Sequence, residues 1–92
     1  MQKPTYTRQN VGAALRDVRQ ERGLKQAYVA MKAGTSKELI SKMENGKCDF
    51  RMCRLNQLLQ IYDCSPLDFW EKFDYSGFFN LEPWTGVNDT ND

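Results

Sequence analysis

The stretch QAYVAMKAGTSKELISKMENG, residues 26–46, constrains the fold of this chain more than any other. It holds two runs of helical periodicity with only Gly34 and a hydroxyl residue or two between them. In the first run Val29, Ala30 and Ala33 share one face. In the second, Ile40 lies at the centre of the apolar side with Ser36, Met43 and Glu44 flanking it. A chain that leaves one short helix and enters another at a steep angle needs a residue tolerant of positive φ, and Gly34 supplies it. Thr35 and Glu38 have capping-box spacing, Ser36 can cap instead, and Gly46 stops the second helix after Asn45. Glu38, Ser41, Lys42 and Asn45 are then left together on the polar face, and Lys37 projects from the helix start.

The flanking sequence supplies partners for these two helices. Val11, Ala14, Leu15 and Val18 recur at helical spacing after Thr7 or Asn10, either of which can cap, and Gly23 can close the helix, giving a first helix over about residues 10–22. Met52, Leu55, Leu58, Leu59 and Tyr62 form a wide apolar stripe on a fourth helix. Ser65-Pro66 reads as cap and first position of a fifth, with Asp68 near the positive end of its dipole and Leu67, Trp70 and Phe73 as the expected buried side. No strand alternation precedes residue 74, so the expectation is an all-α domain of five short helices. Residues 1–9 read as an N-terminal arm, 10–73 as the helical body and 74–92 as an extension. In that extension Tyr75, Phe78, Phe79, Leu81 and Trp84 are too apolar for an unattached tail, although Gly77, Pro83 and Gly86 interrupt any regular element. Residues 75–84 are expected to pack on the body or on a second subunit, and the last six to be disordered.

Composition excludes several classes of function. No apolar run approaches the roughly 18 residues of a membrane span, and MQKPTYTRQN lacks the apolar stretch of a secretory signal, so a cytoplasmic protein is expected. Cys48, Cys53 and Cys64 follow no metal-ligand spacing and no histidine can complete a site, which points to reduced thiols without a metal or cofactor. With no histidine, no nucleophile beside a base and no glycine-rich phosphate loop, an enzyme is not expected. The net charge of +1 conceals a segregation: residues 1–50 hold ten Lys/Arg against five Asp/Glu, residues 51–92 three against seven. The basic half suits a polyanion.

Two short helices joined at a glycine, the second polar on its outer face, form the layout of a helix-turn-helix DNA-binding unit. From Val11 to Phe69 the chain resembles the helix-turn-helix family of phage repressors and Cro proteins, the XRE-like regulators. The resemblance is carried by VGAALRDVRQERGLKQ, by Ala30 and Gly34 at small positions, by Ile40, by Glu44-Asn45-Gly46-Lys47 and by the closing CSPLDFW. It implies a lambda-repressor-like fold whose third helix lies in the major groove. Lys37 and Lys42 would donate to guanine O6 and N7, Glu38 would accept from a cytosine amino group, and Ser41 would complete the base-reading set, each contact contributing on the order of 1–3 kcal/mol of discrimination. Gln26, Ser36, Asn45, Lys47 and Arg51 would hold phosphates, Gln26 at the start of the second helix. Arg19 and Glu44 match positions that form an internal ion pair in relatives. Two departures stand out: Leu39 replaces a small polar residue, touching a thymine methyl or covering the core edge, and Cys48, Asp49 and Phe50 replace a basic, proline-containing loop.

One such domain makes too few base contacts to be selective in a genome, so a homodimer on a near-palindromic stretch of double-stranded DNA is expected. Trp70, Phe73, Phe78, Phe79 and Trp84 are the candidate dimer contacts, or contacts to a different protein if the chain is antitoxin-like.

Overall fold

The computed structural model describes residues 2–76, and the elements among them are α1 (Arg8–Glu21), α2 (Gln26–Ala33), α3 (Lys37–Glu44), α4 (Met52–Ile61) and α5 (Pro66–Trp70). Each boundary has a local cause. Thr7, extended at φ −135°, caps α1 by accepting from Asn10 N at 3.1 Å, so the helix opens at Arg8, inside the segment expected to be an arm. Asn10 serves another purpose: its Nδ2 donates to Thr5 O at 2.7 Å and ties the arm down. Gly34, at φ 69° and ψ 35°, turns the chain between α2 and α3 while Thr35 N returns to Ala30 O at 2.9 Å. Of the two possible caps of α3 the structure uses Ser36, whose Oγ accepts from Leu39 N at 3.1 Å. Pro66 opens α5.

The core is one cluster. Val11, Leu15 and Val18 of α1, Val29, Ala30 and Ala33 of α2, Ile40 and Met43 of α3, and Leu55, Leu58, Leu59 and Tyr62 of α4 meet with Phe69 and Phe73. α3 packs on both α1 and α2, and α4 backs α2. Side chains also close helix ends at a distance. Arg54 Nη1 and Gln57 Nε2 donate to Ala33 O at the end of α2, at 2.8 and 3.3 Å, and Arg22 Nε donates to Tyr62 O after α4 at 2.6 Å. The last carbonyls of a helix have no intrahelical partner, so each of these bonds also fixes the angle between two helices.

Three expectations change here. Met52, read as part of the core stripe, is 60% exposed, because α4 begins at that residue and its first turn overhangs the core. Leu67 is 76% exposed, and Phe69 takes the buried position assigned to it. Phe69 and Phe73 are four residues apart and face inward together, which turns Leu67, two residues before Phe69, outward. Phe73 itself is 2% exposed, held among Phe69, Trp70 and Tyr6, so it is a core residue and not a surface for a partner.

The N-terminal segment is strapped to the far end of the described chain. Tyr6 N donates to Asp74 O at 3.0 Å and Asp74 N to Pro4 O at 2.7 Å, forming a single parallel bridge between Thr5 and Asp74. The Tyr6 ring meets Trp70 and Phe73 edge-on, with centroids 6.0 and 6.2 Å away. Phe78, Phe79 and Trp84 lie outside the described residues. No helix among the described residues is long and apolar enough to cross a membrane.

Candidate nucleic-acid interface

α3 is eight residues long and amphipathic. Ile40 and Met43 anchor it in the core, and Leu39, half-buried, packs against the core edge. Lys37, Glu38 and Lys42 are exposed, and none has a side-chain partner among the described residues. Ser41 is half-buried beside them. The outer face is therefore two ammonium groups, a carboxylate and a hydroxyl on a rigid rod, a set able to donate to and accept from base edges.

Glu44 braces this rod from behind. Glu44 is 2% exposed as a residue, and its carboxylate accepts from Arg19 Nε at 2.6 Å and Arg19 Nη2 at 3.0 Å, a two-pronged bond from α1. Gln26 Nε2 of α2 donates to Glu44 Oε1 at 3.0 Å, and Arg16 Nε lies 3.6 Å from the same oxygen. Arg19 also donates to Leu24 O at 2.7 Å, across the turn between α1 and α2. The bond to Glu44 holds the Arg19 guanidinium above its usual pKa against the opposing effect of burial. One carboxylate thus joins α1, α2 and α3. One donor of Gln26 is committed inward by this bond. No side chain caps α2, whose first N–H groups have no intrahelical acceptor.

The end of α3 is organised by two residues the sequence reading did not single out. Arg16 Nη2 donates to Asn45 Oδ1 at 2.6 Å, and Asn45 Nδ2 donates to Ser41 O at 2.9 Å. Asn45 is thereby oriented by α1, although its position on the surface is the expected one. Gly12, one turn before Arg16, allows the backbones of α1 and α3 to touch: a Cβ there would stand 2.7 Å from Glu44 O and closer still to Met43 O. Gly12, Arg16 and Arg19 fall at i, i+4 and i+7 on one face of α1, a signal present in the sequence.

The remaining expected phosphate contacts lie around this helix. Ser36, Lys47 and Arg51 are exposed, with the Ser36 hydroxyl already accepting as a cap. Asp49 forms a solvent-exposed ion pair with Arg8 Nη1 at 2.9 Å, which neutralises the charge that would repel a phosphate. Tyr28 is exposed on α2 with Lys32 Nζ 6.0 Å over its ring. Cys48 and Cys64 are half-buried, Cys53 exposed, and all three are unbridged. Among the described residues no group of His, Cys, Asp and Glu has a metal-binding arrangement.

Solved structures with the same fold include the clp gene regulator ClgR of Corynebacterium glutamicum, 24% identical over 77% of this chain and 90% of that chain, with a TM-score of 0.69. The restriction-modification controller protein C.AhdI of Aeromonas hydrophila is 23% identical over 66% of this chain and 88% of that chain, with a TM-score of 0.63. A third, controller protein C.Esp1396I, solved as a tetramer in complex with its natural 35 base-pair operator, is 21% identical over 73% of this chain and 88% of that chain, at a TM-score of 0.65. No curated protein matches the chain. The model of the helix-turn-helix domain matches residues 10–69, well over half of the chain, which therefore belongs to the helix-turn-helix domain family.

Proposed function

We propose that this protein is a sequence-specific regulator of transcription that binds double-stranded DNA as a homodimer on a near-palindromic operator, acting as a repressor. The observation that carries the reading is the presentation of Lys37, Glu38 and Lys42, exposed and without side-chain partners among the described residues, on a helix whose inner side is tied to α1 and α2 through Glu44. Such a helix enters the major groove with its polar face towards the bases. Base contacts are assigned to Lys37, Glu38, Ser41 and Lys42. Phosphates are assigned to the start of α2 with Gln26, to Ser36, and to Asn45, Lys47 and Arg51. That C.Esp1396I, which has the same fold, was solved in complex with its natural 35 base-pair operator supports DNA binding.

A dimer follows from the number of contacts available. One α3 reads too few bases to stand out from the non-specific sites of a genome, whereas two related by a twofold axis read half-sites about 34 Å apart. The seam is assigned to the outer side of α5, where Leu67 is exposed. The alternative in which a different protein is gripped by Phe78, Phe79 and Trp84 depends on residues outside those described.

Selection of bound fragments from random duplex DNA tests the proposal. Enrichment of a twofold-symmetric sequence is expected, and Lys42→Ala should abolish the preference while leaving weak non-specific binding. Absence of any duplex affinity at low ionic strength would end the reading, and an unchanged footprint for Lys42→Ala would remove Lys42 from the base-reading set.

A further inference from the structure

A groove of about 400 Å³ opens beside the strapped N-terminal segment, walled chiefly by Tyr6, Val11, Phe50, Met52, Leu55 and Trp70, with Arg8 and Asp49 also lining it. Most of its wall is aromatic or aliphatic, and Met52, which lines it, is exposed. The described chain ends at the same place. Asp74 is held between the backbones of Pro4 and Tyr6, the Tyr75 ring lies 4.9 Å from that of Tyr6, and the Tyr75 hydroxyl donates to Trp70 O at 2.6 Å. Tyr6 and Trp70 are both groove walls, so the bonds that direct the outgoing chain are made by the groove itself. The next residues are Gly77-Phe78-Phe79-Asn80-Leu81-Glu82-Pro83-Trp84, among the most apolar runs in the acidic half of the sequence.

We propose that residues 77–84 dock in this groove of their own chain, with Phe78 and Phe79 as the anchoring side chains. Reach permits it: at up to about 3.3 Å per residue, three residues beyond Ser76 span at most roughly 10 Å. The short tether also selects the occupant. A segment attached at the rim of its site acts at an effective concentration in the millimolar range, which a second copy at micromolar concentration does not match. Docking here would cover Met52 and leave Leu67, on the outer side of α5, as the exposed apolar residue of the C-terminal half. The inference does not depend on DNA binding.

The test uses the full chain, uniformly 13C-labelled. Nuclear Overhauser contacts are expected between the Met52 methyl and aromatic protons of Phe78 or Phe79. In a mixture of labelled and unlabelled chains, an isotope-filtered experiment should lose them, because both partners lie in one chain. Retention of the contacts in the filtered experiment would assign the groove to a second copy and overturn the proposal, as would a Met52 methyl with no contact to the segment. In a Phe78→Ser/Phe79→Ser variant the Met52 methyl resonance should move towards its solvent-exposed position. An unmoved resonance counts against docking.

Discussion

Glu44 accepts three hydrogen bonds in a site that water barely reaches, two from Arg19 and one from Gln26, and the energetics follow from that burial. Removing one member of a buried pair leaves the other charge uncompensated. Arg19→Ala is therefore expected to cost about 3–5 kcal/mol in urea unfolding. A double Arg19→Met/Glu44→Leu variant should cost much less than the sum of the single losses, because both charges go together. The pairing was legible in the sequence through the family resemblance. The shares of Gln26 and Arg16 were not, since both depend on how far two other helices bring their side chains. Tyr62 supplies a second prediction. Its ring is 1% exposed and its hydroxyl has no hydrogen-bond partner among the described residues. Tyr62→Phe should thus be neutral or slightly stabilising at pH 7, because no bond is lost. Burial raises the pKa of this phenol above 10.0, with the nearby Glu44 charge adding to the effect and Arg19 opposing it. An acid whose folded pKa is raised contributes stability that is intact below its unfolded pKa and is lost as pH rises above it. Thermal midpoints of the native protein should fall more steeply above pH 10 than those of Tyr62→Phe. Parallel curves would show that another group governs alkaline unfolding.

At the scale of elements, two glycines distinguish local geometry from packing. Gly34 has nothing within 4 Å of where a Cβ would stand, but it sits at φ 69°. Gly34→Ala should cost about 1 kcal/mol, the ordinary cost of a left-handed residue with a side chain. Gly12 is inside α1 at an ordinary helical conformation, where its added Cβ would collide with the backbone carbonyls at the end of α3. Gly12→Ala is expected to cost about 1–3 kcal/mol or more, and to shift backbone amide resonances throughout α3, which Gly34→Ala should not do. If the two variants lose equal stability with equal shifts, the α1–α3 approach is looser than described. The Gly34 turn was visible from sequence because backbone preference is local. Gly12 read only as a weak spot in a helix, since its purpose lies on another element. Helix ends behaved similarly: Ser36 and Pro66 marked theirs, while the closing bonds from Arg22 and Arg54 come from across the fold.

At the scale of the whole molecule the expected dimer can be measured directly. Leu67→Glu is expected to reduce the sedimenting mass from about twice 10.7 kDa to the single-chain value and to weaken binding of the selected operator far more than non-specific binding. A variant that stays dimeric would place the seam elsewhere. By itself the sequence determined the number and order of the helices, the turn at Gly34, most of the core and the polar identity of the outer face of α3. Those features follow from hydrophobic periodicity and from φ preferences, which act over a few residues. Only the tertiary structure decided that Leu67 faces out and Phe69 in, that Asn45 is oriented from α1, and that the N-terminal segment is fastened to Asp74 rather than extended as an arm. Each of these depends on the distance between elements far apart in the chain. Hydrophobic pattern says which residues seek cover, and the packed fold chooses which of them find it.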